Sequence, residues 1–72
     1  MPRRLKLSPL QRDILTMLEE AGAETVGTVV ATLNPPRDLF TPEVEQSVSL
    51  GLLRRDGDNL ALTQQGKIAL TQ

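Results

Sequence analysis

The densest charge in the sequence is Arg54-Arg55-Asp56-Gly57-Asp58, and it suits two kinds of chemistry. A guanidinium is a planar fork of donors that matches a phosphate, so Arg54 and Arg55 fit a nucleic-acid backbone. Asp56 and Asp58 offer neutralisation within the chain instead, although an exposed pair is worth only about 0–1 kcal/mol and leaves an arginine available. A second basic group, Arg3, Arg4 and Lys6, is either a solvated tail or an arm that lies along phosphates. Catalytic chemistry has little to work with. The chain has no histidine and no cysteine, which removes the commonest general base and the thiolate metal ligands. The carboxylate pairs Glu19-Glu20 and Glu43-x-Glu45 do not converge on a helix, where side chains one or two positions apart diverge. No glycine-rich phosphate loop is present. The expectation is a protein that is not an enzyme and takes neither a metal nor an organic cofactor.

These residues must be positioned by a small scaffold. Seventy-two residues with 39% hydrophobic content fit one domain, divided here into a basic arm at 1–7 and a folded body at 8–72. The net charge of -1 conceals an asymmetry: Arg3, Arg4, Lys6 and Arg12 fall in the first twelve residues with no acidic neighbour. The other four basic side chains share the rest of the chain with all nine acidic ones. The arm is cationic and the body acidic. No signal peptide and no run of about 20 apolar residues is present, so a cytoplasmic location and no membrane partner are expected.

Apolar spacing and punctuation divide the body. Leu10, Ile14, Met17, Leu18 and Ala21 share one helical face. Ser8 and Gln11 form a capping box around Pro9, and Gly22 supplies the exit. In the segment 24–34, β-branched residues favour a strand, but Val26, Val29, Val30 and Leu33 follow the helical spacing, which predicts a short second helix stopped by Asn34-Pro35-Pro36. After a loop through Phe40, Thr41 as cap and Pro42 at the first position predict a third helix with Val44, Val48 and Leu52 buried. Glu43, Gln46, Ser47 and Leu50 then project outward. Leu53–Arg55 and Leu60–Leu62 flank the turn Asp56–Asn59 as a hairpin, and Thr63 caps a last short helix. Leu5 and Leu7 permit a short edge strand, and Phe40 is expected to anchor the loop to the core.

The order helix, helix, helix, hairpin, with Gly51-Leu52-Leu53 entering the hairpin and Leu62-Thr63-Gln64-Gln65-Gly66 leaving it, resembles the winged helix-turn-helix family, especially its multiple-antibiotic-resistance-regulator type. The resemblance runs from about residue 8 to residue 70. It implies an α+β, mainly helical fold with a two-stranded wing and a short C-terminal helix. It also implies a third helix that enters the major groove of double-stranded DNA and a wing beside the backbone. On those positions Gln46 pairs with adenine, Ser47 donates or accepts, Glu43 accepts from cytosine N4, and Arg54, Arg55 and the arm residues Arg3, Arg4 and Lys6 hold phosphates. Three features run against this: a seven-residue loop before the third helix, no basic residue on that helix, and no segment recognisable as a dimerisation helix.

The expectation is a DNA-binding transcriptional regulator. The alternative is a winged-helix protein-interaction module whose acidic third helix docks on a partner or a second copy through Glu43 and Leu50.

Overall fold

The computed structural model describes residues 6–71. Its elements run α1 (Pro9–Ala21), β1 (Ala23–Thr25), α2 (Val26–Leu33), α3 (Arg37–Ser49), β2 (Leu53–Asp56), β3 (Asn59–Leu62) and α4 (Gln64–Leu70). The helices surround a core of Ile14, Leu15, Leu18, Val29, Phe40, Val44, Leu52, Leu53, Leu60 and Ala69. The capping box of α1 forms as expected: Ser8 Oγ accepts from the Gln11 amide at 3.1 Å, and Gln11 Oε1 accepts from the Ser8 amide at 3.0 Å. Gly22 leaves the helix at a φ of 87°. The buried stripe is rotated from the expected one. Gln11, Ile14, Leu15 and Leu18 face inward, Leu10 and Met17 lie at its edge, and Ala21 is exposed.

The second helix forms despite its β-branched residues, because Val29 is fully buried and Val26, Val30 and Leu33 are half-buried against the core. Burying an aliphatic side chain contributes about 1.5–3 kcal/mol, more than the few tenths that separate valine from better helix formers. Thr25 caps this helix, and Asn34 ends it in the left-handed region at φ 47° and ψ 52°.

The third helix departs most from expectation. It starts at Arg37 instead of Pro42, so the connection from α2 is the three residues 34–36 and Pro42 lies inside the helix. Starting at Arg37 puts Phe40 one turn before Val44 on the buried stripe, with only 7% of Phe40 exposed. An interior proline costs about 3 kcal/mol by removing one amide and crowding the carbonyl four residues back. Here that carbonyl belongs to exposed Asp38, and burying the aromatic ring offsets much of the penalty. The expectation that Phe40 packs into the core holds, though from within a helix.

The hairpin is joined by a third strand. The antiparallel sheet has the order β1-β3-β2, with Thr25 opposite Asn59 and Leu53 opposite Leu62. Leu7 lies in no strand and packs against the core, and Leu5 lies outside the described residues. Gly57 takes a φ of 63° at the first of the two turn positions, the type II′ pattern that follows the twist of paired strands. No helix among the described residues is long and apolar enough to cross a membrane.

The hairpin exit shows why Leu-Thr-x-x-Gly belongs there. Thr63 Oγ1 accepts from the Gly66 amide at 3.0 Å and donates to the carbonyls of Gly51 and Leu52. One side chain thus caps α4 and ties it to the end of α3. Gly66 is buried where a Cβ would collide with the Leu52 carbonyl.

Candidate nucleic-acid interface

The exposed face of α3 carries Pro42, Glu45, Gln46 and Ser49. Gln46 projects outward as expected, and its side-chain amide carries both a donor and an acceptor of the kind that pairs with a base edge. Ser47 does not. It is 1% exposed, donates to the Glu43 carbonyl at 2.8 Å and accepts from Gln11 Nε2 at 3.3 Å. The expectation of an outward Ser47 is therefore corrected: phase along α3 is set by Phe40 and Val44, which bring position 47 inward. Glu43 is also half-buried and turned toward α1, where its Oε1 accepts from Ser8 Oγ at 2.9 Å.

Arg37, which the sequence pattern leaves in a loop, occupies the first position of α3 and is exposed. The helix thus carries a guanidinium at its start, together with Asp38, Glu43 and Glu45. Proline at 42 concealed this by mimicking a helix start. The signal that would have found it is the spacing of Phe40 and Val44, four residues apart.

On the hairpin, Arg54, Arg55 and Asp56 are all exposed on edge strand β2. Arg55 Nε donates to the Gly57 carbonyl at 3.0 Å, folding that guanidinium back on the turn. The turn itself is tied down, because the Val26 amide donates to the Asp58 carbonyl at 2.7 Å. With a two-residue turn between Asp56 and Asn59, the wing is short and its tip carries two exposed aspartates.

Of the arm residues, Arg3 and Arg4 lie outside the described residues. Lys6 is exposed and lines a surface depression of about 390 Å³ together with Ser8, Gln11, Glu43 and Gln46. Leu50, at the end of α3, is 45% exposed, and Leu39, eleven residues earlier, is 53% exposed. The two project from one side of the helix, about 16 Å apart along its axis.

Three helices, a three-residue turn between the second and third, and a hairpin after the third define a winged helix-turn-helix fold, similar to that of the multiple-antibiotic-resistance-regulator type. Two solved structures share the fold. A MepR-like protein complexed with pseudoligands is 25% identical, with a TM-score of 0.78, and the match covers 90% of this chain and 51% of that one. The YusO protein from Bacillus subtilis is 19% identical, with a TM-score of 0.77 and the same coverage. The chain thus spans about half the length of each. No family model matches the sequence, and no curated protein does.

Proposed function

We propose that this domain is a DNA-binding transcriptional regulator that presents α3 to the major groove of duplex DNA. The observation that carries this reading is the exposed Gln46 on α3 of a winged-helix domain, lining the same surface depression as the cationic Lys6. Gln46 is the adenine reader. Glu45 takes the cytosine-directed role that the sequence assigns to Glu43, because Glu45 is exposed and Glu43 is engaged with Ser8. Arg37, Arg54, Lys6 and the arm arginines Arg3 and Arg4 supply phosphate contacts, and Arg55 contributes less while it holds the turn.

The test is a fluorescence-anisotropy titration of duplex DNA at two salt concentrations. Affinity is expected to fall with salt at a slope of about -0.9 per phosphate contact. Gln46→Ala should weaken a preferred sequence while leaving random duplex unaffected. Absence of binding at low salt would overturn the proposal.

A second reading rests on Leu39 and Leu50, two exposed leucines flanking Gln46 on an acidic helix. In that case α3 docks on a protein or a second copy of the chain. Sedimentation should then show an assembly that Leu50→Asp dissolves without unfolding the domain.

A further inference from the structure

Apolar packing alone does not decide which face α3 presents. At about 100° per residue, its buried residues Phe40, Val44 and Ser47 fall within about 60° of one another around the helix. Pro42 divides that stripe. With no amide for the carbonyl four residues back, it weakens the link between the first turn, anchored by Phe40, and the stretch 43–49 that carries Glu45 and Gln46. The apolar side chains of that stretch are Val44 and Val48, and Val48 is only half-buried. The midpoint between the two valines lies about 50° round the helix from the midpoint between Val44 and Ser47. Apolar burial favours centring on the valines, since a serine gains nothing by leaving water. That phase would present Gln46 and Leu50 and swing Glu45 to the side. In the observed phase Glu45 and Gln46 stand on either side of the outward direction, and both are exposed.

A hydrogen bond from α1 holds the observed phase. Gln11 Nε2 donates to Ser47 Oγ at 3.3 Å, and Ser47 Oγ donates to the Glu43 carbonyl at 2.8 Å. The donor is aimed, because Gln11 Oε1 accepts from the Ser8 amide at 3.0 Å in the capping box of α1. Ser8 Oγ also donates to Glu43 Oε1 at 2.9 Å, which closes a ring between the two helices. Gln11 is 4% exposed and Ser47 1%, and no buried side-chain polar atom among the described residues lacks a partner. Hydrogen bonds weaken steeply off their axis whereas apolar contact has no direction, so the ring resists a roll that the valines would tolerate. We propose that Gln11 and Ser47 are a phase lock, which selects the face of α3 that carries both Glu45 and Gln46 and thereby sets the sequence preference of the domain. The lock is a property of the free protein; its effect on sequence preference rests on the function proposed above. Both are positioning residues, buried away from any duplex and acting through Glu45 and Gln46. Buried polar groups that fix register between helices work in the same way.

In the wild type, the Gln11 side-chain amide should give resolved, slowly exchanging proton signals with nuclear Overhauser contacts to the Ser47 β protons. Their absence would show that there is no lock. Gln11→Met with Ser47→Ala replaces the pair by apolar groups, a change that buried polar pairs often tolerate without loss of stability. Ser47→Thr keeps the hydroxyl and adds a methyl at the same place, so it is both the conservative control and a reporter. With a soluble gadolinium chelate as the probe, the methyl at position 47 should be shielded from broadening in Ser47→Thr and exposed to it in the apolar double variant. The Val48 methyls should change the opposite way. On a duplex that the wild type selects from a random-sequence pool, the double variant should lose roughly tenfold in preference over random duplex, the worth of one base contact. Its affinity for random duplex should stay the same, whereas a general loss of structure would weaken both, and Ser47→Thr should keep the preference. Unaltered shielding in the double variant, or a preference it retains in full, would overturn the proposal. Shielding that changes as expected in a protein whose wild type binds no duplex would overturn the regulator function and leave the lock standing.

Discussion

Replacing Gly66 by alanine tests whether the Leu-Thr-x-x-Gly stretch is there for packing. The new methyl would sit far inside contact distance of the Leu52 carbonyl oxygen, 2.6 Å from Leu62 Cδ1 and 3.2 Å from the Leu52 carbonyl carbon. The leucine side chain can rotate away, but the carbonyl is backbone and accepts from both the Thr63 amide at 3.1 Å and Thr63 Oγ1 at 2.9 Å. Overpacking of this kind costs about 1–3 kcal/mol. Disturbing one of the carbonyl's hydrogen bonds adds about 1 kcal/mol. Alanine returns about 1 kcal/mol because it is the better helix former. The net expectation is a loss of about 2 kcal/mol, or a Tm lower by about 8–16 °C for a domain of this size.

The control is built into α2. Gly27 is exposed and helical, and a Cβ added there would have nothing within 4 Å, so Gly27→Ala should raise stability by about 0.5 kcal/mol and Tm by about 2–4 °C. The two substitutions are chemically identical and should move the melting curve, followed by circular dichroism at 222 nm, in opposite directions. A Gly66→Ala protein melting at or above the wild type would refute the close approach of Gly66 to Leu52, since Gly27→Ala reports the propensity effect by itself.

Thr63→Ala should cost about 1–2 kcal/mol in urea denaturation, because it removes the α4 cap and the tie to the α3 terminus together, whereas Thr63→Ser should retain most of the stability. Arg54→Ala should lower the magnitude of the salt slope for DNA by about 0.9, the value of one phosphate contact. Arg55→Ala should change the slope less and instead speed hydrogen exchange at the hairpin turn, where its guanidinium is engaged. Asp56→Asn with Asp58→Asn should strengthen DNA binding about threefold or more at low salt and less at high salt, since screening beyond about 10 Å at 0.1 M removes the repulsion they exert; equal affinity at low salt would place the wing tip away from the duplex.

The features legible in the sequence are those decided within a few residues. Ser8 with Gln11, Thr63 and the exits at Gly22, Asn34 and Gly51 are local solutions to unpaired backbone groups, and residue type is enough to reveal them. Features settled by distant partners were not legible. Ala23–Thr25 is a strand because β3 lies beside it, and nothing in Ala-Glu-Thr announces that pairing. Gln11 and Ser47 carry polar side chains that ordinarily face water, yet they are buried because each satisfies the other across 36 residues. Apolar periodicity cannot see such a pair, and it therefore turns Ser47 outward.

The proline inside α3 has the largest consequence for function. Ending the loop at Pro36 removes the long connection that sets the pattern apart from a helix-turn-helix and brings Arg37 onto α3. The electrostatics of this acidic helix then change in kind. On the proposed function, cations flank the helix, with Arg37 at its start and Lys6 beside its middle, while Glu43 is engaged by Ser8. The exposed Glu45 stands next to Gln46. Phosphates line the edges of a major groove and base edges lie between them, so a carboxylate in mid-helix meets cytosine amino groups at the groove floor, away from the strongest repulsion. An acidic body lowers the non-specific term that phosphate attraction would otherwise dominate, and affinity then depends on the bases presented to Glu45 and Gln46. On the proposed function, acidity on α3 thus favours discrimination over tight binding, and weak attachment to random duplex beside measurable preference for one sequence is the expected behaviour.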